Sequence, residues 1–285
     1  MKRRFHQLDV FSALPLKGNP LAVVHAAEGL DEATMAAFAR WTNLSETTFL
    51  LPSHDAAADY RVRIFTPGGE LPFAGHPTLG SCWAWLAAGG RPRDAGVVVQ
   101  ECGVGLVRVR REGGGAGRLS SRLSFAAPPL RRSGPLEPEL LVRIAAGLGV
   151  PLADVRHHQW VDNGPGWCAV MLQDAAQVLA VKPDWAQLGD LKLGLVGAQA
   201  AGADTAFEVR AFVPTLGVPE DPVTGSLNAG LAMWLIGAGL APPLYVAAQG
   251  AALGRAGRVH VERAGDGTIW VGGDVVCCIE GEVDL

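Results

Sequence analysis

Residues 60 to 67 read YRVRIFTP and residues 207 to 214 read FEVRAFVP, so Val, Arg, Phe and Pro recur in register with Tyr60 opposite Phe207. Each copy is strand-like and runs into a loop, then into a polar residue followed by proline: His76-Pro77 in the first, Asp221-Pro222 in the second. An apolar stretch with helical character follows in both and stops at glycines. Similarity that persists in the same order predicts a duplicated architecture rather than one unbroken core. The 285 residues are enough for two domains of ordinary size. Pro128, Pro129, Pro135 and Pro138 flank Arg131 and Arg132 in the strongest linker signal of the chain. The boundary is placed there, giving domains 1–127 and 128–285, with the C-terminal strand as a candidate completion of the first.

Local patterns fill in the halves. Stretches 5–11 and 21–25 read as strands joined by the turn chemistry of Lys17-Gly18-Asn19-Pro20. Asp31 opens a helix in which Met35, Phe38 and Trp41 recur near helical spacing. Val97–Cys102 and Leu106–Arg111 read as strands, and the glycines from Gly113 to Gly117 as a hairpin turn. Without a following Lys-Ser/Thr these glycines do not form a phosphate loop. Residues 161–165, VDNGP, read as a further turn.

Three places carry candidate chemistry. Glu46 stands at the entrance of the strand-like run Ser45–Leu50, among threonines and large apolar residues. Loss of solvation there raises a carboxyl pKa toward the range useful for proton transfer. Proline suits the first turn of a helix and the residue before it is a natural cap, so His76 and Asp221 are expected to cap two equivalent helices. Beside them Gly75 and Thr78, and Thr224, Gly225 and Ser226, leave backbone N–H groups open. Two such helix starts brought to one interdomain cleft would receive a carboxylate.

Several function classes are excluded by bulk properties. A net charge of -4 with dispersed signs offers no basic face for nucleic acid and no polybasic membrane patch. The five cysteines are odd in number and lack Cys-x-x-Cys spacing, so neither a disulfide framework nor a metal site is expected; adjacent Cys277 and Cys278 should point to opposite faces of a strand. Asp9 and Pro15 interrupt the stretch after the basic N-terminus, and the run 227–242 is too short to span a bilayer. The sequon at Asn43 therefore carries no weight. The expectation is a cytoplasmic protein acting on small molecules.

The stretches DVFSALPLKGNPLAVV (9–24), NLSETTFLLP (43–52), FTPGGELPFAGHPTLG (65–80), EDPVTGSLNAG (220–230) and QGAALGRAGRVHVE (249–262) occur in an order that resembles the PhzF-like family of phenazine-biosynthesis isomerases. That resemblance implies the α+β fold of diaminopimelate epimerase, two pseudo-symmetric domains each with a mixed, mainly antiparallel sheet curled around a central helix. It implies that Glu46 is the acid/base, that His76 and Asp221 hydrogen-bond the substrate, and that Ser226 and the backbone near Gly225 hold its carboxylate, with Gly75 and Thr224 beside them. It further implies no cofactor, no metal and a homodimer. The activity implied is isomerisation of a dihydro-hydroxyanthranilate-like acid by moving one proton between carbons.

Diaminopimelate epimerases and proline racemases place one cysteine at each of the two helix starts, as opposed bases. Here Gly75-His76 and Asp221-Pro222 stand there, and Cys82 lies deeper in its helix. A single carboxylate suffices for a shift on one face, whereas inversion needs a second base opposite. The alternatives are an amino-acid epimerase that opposes Glu46 with His76 or Asp221, and a non-catalytic small-molecule binder.

Overall fold

A computed structural model describes residues 1–112, 122–214 and 219–285. The glycine turn expected at 113–117 lies outside them. The chain divides into two compact units, Met1–Ala126 with Gly272–Leu285, and Ala127–Val271.

The first unit runs β1 (Lys2–Val10), β2 (Asn19–Val24), α1 (Glu32–Thr42), β3 (Glu46–Leu51), β4 (Tyr60–Thr66), β5 (Gly69–Leu71), α2 (Gly75–Ala87), β6 (Val97–Cys102), β7 (Gly105–Glu112) and β8 (Arg122–Ala126). Its sheet pairs β1, β2, β3, β4, β6, β7 and β8 in that order; β2–β3 and β4–β6 are parallel and the remaining pairs antiparallel. β5 is an antiparallel appendage of β4. Helix α2 packs against β1, β2, β3, β6, β7 and β8, so the sheet curls around it. Helix α1 covers β3 and β4 from the other side, with Met35 and Phe38 packed on Phe49 and Phe65.

The second unit runs β9 (Arg132–Gly134), α3 (Pro138–Leu148), β10 (His157–Asp162), β11 (Trp167–Met171), α4 (Ala175–Ala180), α5 (Trp185–Leu188), β12 (Lys192–Ala198), β13 (Phe207–Phe212), β14 (Glu220–Asp221), α6 (Gly225–Gly237), β15 (Leu244–Gln249) and β16 (Gly257–Arg263). Its sheet pairs β9, β10, β11, β12, β13, β15 and β16, with β11–β12 and β13–β15 parallel, and β14 hangs on β13. Parallel pairs, appendage and helix thus recur in the same places in each unit. Eleven of the thirteen α6 residues are buried, as a helix enclosed by its sheet requires. The final strand β17 (Ile269–Asp284) pairs with β1 from Val275 to Asp284, which ties the C-terminus to the first unit; its register shifts between Gln7 and Leu8.

The fold class is the one expected, α+β with a sheet around a central helix in each unit. Glycine lets each helix approach its sheet. Gly80 and Gly230 are both the sixth residue of their helix, and an added Cβ would come within 2.4 Å of Leu21 Cδ2 and 2.3 Å of the Val161 carbonyl oxygen, respectively. Three local expectations change. Trp41 is 80% exposed and stacks on Phe38 rather than joining the core. Asn19 and Pro20 belong to β2, and the turn precedes them, closed by Asp9, whose carboxylate accepts from Lys17 and Gly18 N–H. The proline-rich segment 126–138 is not an extended linker, because β9 pairs with β10 inside it and Arg131 N–H donates to the Asp162 carbonyl.

Candidate active site

In the first unit Glu46 is the first residue of β3 and His76 the second residue of α2. Strand and helix bring them together: His76 Nε2 lies 3.4 Å from Glu46 Oε2. The imidazole is 3% exposed and the Glu46 side chain 13%, so Glu46 is the more accessible member of the pair, although its Oε2 is buried against the ring. Asn19 Nδ2 meets His76 Nδ1 at 3.2 Å, and the Ser45 hydroxyl donates to Asn19 Oδ1 at 3.3 Å. Burial pushes the His76 pKa down to about 3, against a smaller upward pull from the Pro20 backbone. The ring is therefore neutral at physiological pH. Below it, Thr78 receives a hydrogen bond from Gln100 Nε2, and Gln100 Oε1 accepts from the buried Tyr60 hydroxyl.

In the second unit Asp221 ends β14, and its Oδ2 accepts from the Thr224 hydroxyl at 2.6 Å. Gln249 locks this turn: its Oε1 accepts from Thr224 N–H at 3.0 Å and its Nε2 donates to the Asp221 carbonyl and the Thr224 hydroxyl. Asn228 donates to Gln249 Oε1 and to the Thr224 carbonyl. Gly225 and Ser226 open α6, and the Ser226 hydroxyl accepts from Trp167 Nε1 at 3.0 Å. Asn163, from the VDNGP turn, donates to the Ser226 carbonyl. This unit presents the start of a long helix bracketed by hydroxyls, an arrangement suited to an anion.

Two expectations are corrected here. Neither His76 nor Asp221 is a helix cap. The N-cap of α2 is Ala74, which leaves His76 inside the first turn, and the N-cap of α6 is Thr224, three residues beyond Asp221. Counted from the helix start, Ser226 and not Asp221 is the counterpart of His76. Asp221 ends β14 as Leu71 ends β5, and in each unit three residues separate that strand from its helix, so Asp221 corresponds to Leu71 and lies before the helix start. Gly75 and Gly225 each occupy the first helical position.

Two neighbours escaped the sequence reading, Asn19 and Gln249, both almost wholly buried polar residues. Each lies inside a stretch already singled out, GNP and QGAALG. An amide in so apolar a setting was the available signal, since a buried amide requires partners. Among the described residues no group of three or more His, Cys, Asp or Glu side chains is arranged to hold a metal ion. Nor is any helix long and apolar enough to cross a membrane. Cys82 and Cys168 are buried and burial pushes both thiols up, Cys168 to about 12, so neither resembles an activated thiolate.

The first unit thus pairs a carboxyl with a neutral imidazole at the start of its enclosed helix. Residues 8–281 match the family described as phenazine biosynthesis-like protein, PhzC-PhzF, and the chain belongs to that family, which is one of isomerases. It is 36% identical to antisense-enhancing sequence 1 of Schizosaccharomyces pombe over 98% of this chain and 97% of that protein. It is 34% identical to trans-2,3-dihydro-3-hydroxyanthranilate isomerase of Pseudomonas aeruginosa, over 93% of this chain and 91% of the relative. Among solved structures, a PhzF-family phenazine biosynthesis protein of Enterococcus faecalis superposes with a TM-score of 0.79 at 25% identity, over all of both chains.

Proposed function

We propose that this protein is a cofactor-independent isomerase that moves one proton between two carbons of a small amino- or hydroxy-carboxylic acid of the dihydro-hydroxyanthranilate type, with Glu46 as the acid/base. The observation that carries this reading is the Glu46–His76 pair, in which Glu46 is the more accessible member and the imidazole is buried and neutral. The Glu46 carboxylate takes a proton from one carbon, and the C–H electron pair enters the adjacent π system. The protonated Glu46 then returns that proton to another carbon as the double bond shifts. Atoms and oxidation level are unchanged, and one base on one face suffices.

With His76 Nδ1 accepting from Asn19, the single ring proton sits on Nε2, facing Glu46. His76 and Asn19 then steady the carboxylate between the two transfers. Asp221 is assigned to the substrate's polar groups, and Thr224, Gly225 and Ser226 to its carboxylate, because a hydroxyl-lined helix start suits an anion. A cytoplasmic homodimer belongs to the same proposal and is tested by sedimentation.

The test follows carbon-bound deuterium by NMR while the protein is incubated with trans-2,3-dihydro-3-hydroxyanthranilate, and with related acids, in deuterated water. Wild type exchanges at least one position. Glu46→Gln keeps the shape and loses roughly 100- to 10,000-fold in exchange while still binding ligand. Ser226→Ala weakens binding of acidic analogues instead. Equal exchange by wild type and Glu46→Gln overturns the assignment of the base.

A further inference from the structure

The far end of α2 borders a cavity of about 860 Å³ lined by Arg4, His6, Trp83, Arg91, Arg111 and Glu280, with Leu86, Ala87, Pro92 and Ala95 as apolar wall. Every lining residue belongs to the first unit. His76 sits in the first turn of α2, whereas Trp83, Leu86 and Ala87 belong to its last turns, roughly 10 to 16 Å further along the axis. The cavity is therefore separate from the Glu46–His76 pair.

Its charge is opposite to that of the chain. Three guanidiniums face a single carboxylate, in a protein whose net charge is -4. Glu280 is already committed to Arg4, at 2.6 Å. Arg91 and Arg111 have no carboxylate partner among the described residues, and Arg111 Nε is buried without a hydrogen-bond partner. A guanidinium that lines a cavity without a carboxylate partner suits an oxyanion, since guanidinium matches carboxylate and phosphate geometry. His6, 1% exposed, adds a polar edge: its Nδ1 is 2.8 Å from His25 Nε2 and its ring meets Trp83 edge-on at 6.0 Å. Volume, apolar wall and a few convergent polar groups match a small-molecule site.

We propose that this cavity is a second binding site, for a small organic molecule that carries a carboxylate or phosphate group on an apolar body. The oxyanion is held between Arg91 and Arg111, and the body lies against Trp83, Leu86 and Pro92. This proposal is independent of the Glu46 chemistry.

The test is titration calorimetry of the whole protein with benzoate and, separately, with inorganic phosphate. Saturable binding of benzoate identifies a carboxylate ligand and of phosphate a phosphorylated one. Arg91→Glu, at an exposed position that tolerates substitution, weakens the binding by roughly tenfold or more, as does Arg111→Met. Arg143→Glu makes the same change in net charge elsewhere and leaves binding as it is, and so does Ser226→Ala, the variant that weakens acidic ligands at the first site, which separates the two. No saturable heat with either anion at millimolar concentration overturns the proposal. So does binding that Arg91→Glu leaves unchanged.

Discussion

The two copies of the repeat hold the same ion pair in different surroundings. In the first unit Arg63 lies 5.0 Å from the Phe65 ring centroid and donates to Glu70 from Nε and Nη2, with a further bond to Glu32 at the start of α1. In the second, Arg210 lies 4.9 Å from the Phe212 ring centroid and donates to Glu220 through the same two nitrogens, and its Nη1 reaches the Val178 and Val181 carbonyls beside α4. Glu70 is the cross-strand partner of Phe65 and Glu220 of Phe212, so the two pairs are built identically. They differ in burial: side-chain exposure is 22% and 37% for Arg63 and Glu70, and 6% and 7% for Arg210 and Glu220.

The repeated Val-Arg-x-Phe is thus an architectural clasp, and the chemistry diverged elsewhere. The first residue of β3 is Glu46 while that of β12 is Lys192, which donates to the Pro165 carbonyl. The second residue of α2 is His76, bonded from the first residue of β2; that of α6 is Ser226, bonded from the first residue of β11. One framework therefore carries a carboxyl–imidazole pair in one unit and a hydroxyl-lined helix start in the other.

The clasp gives the largest expected contrast in stability. Arg210→Met leaves Glu220 buried and unpaired and should cost about 3–5 kcal/mol. Arg63→Met removes a partly solvated pair and should cost no more than about 1 kcal/mol. Denaturant unfolding of both variants checks this, and equal losses would show that burial does not distinguish the two clasps.

The sixth-position glycines sharpen the comparison. An alanine at 230 meets the Val161 backbone, which cannot turn aside, whereas one at 80 meets the end of the Leu21 side chain, which can change rotamer. Gly230→Ala should destabilise by about 2–3 kcal/mol and Gly80→Ala by about 1. The reverse order, read from thermal unfolding, would mean that the α2 packing is the stiffer of the two.

The smallest effect depends on pH. Arg61 and Glu208 occupy the same place in the repeat, but Glu208 is 3% exposed. Burial pushes its pKa from 4.5 up to about 7, and Arg258 and Arg210 oppose that. A carboxyl with a raised folded-state pKa binds its proton more tightly when folded, so its contribution is present below about pH 4.5 and is lost as pH rises toward 7 and beyond. Glu208→Gln should remove that slope and be more stable than wild type by about 2 kcal/mol at pH 8 relative to pH 4. Parallel slopes for both proteins would show that the carboxyl is not protonated in the fold.

The elements that were legible carry local signals. The Asp31 cap of α1 accepts from Thr34 N–H as its spacing predicts, and the strands around YRVRIFTP and FEVRAFVP form as read. Trp41 shows the limit, since it shares helical spacing with Met35 and Phe38 and yet is 80% exposed. The helix starts show another, because Pro77 and Pro222 signalled a cap without revealing that β14 keeps Asp221 in the sheet.

By itself the sequence determined the repeat around YRVRIFTP and FEVRAFVP with the helix that follows each copy, and it put Glu46 at a strand entrance and His76, Asp221 and Ser226 about the two helix starts. Those are properties of periodicity and spacing, which neighbouring residues settle among themselves. Only the tertiary structure decided who touches whom: that Asn19 reaches His76 across 57 positions, that Gln249 closes the turn at Thr224, and that His76 corresponds to Ser226 rather than Asp221. A hydrogen bond between distant residues depends on strand register and on how closely a helix approaches its sheet, and both are set by packing of the whole unit.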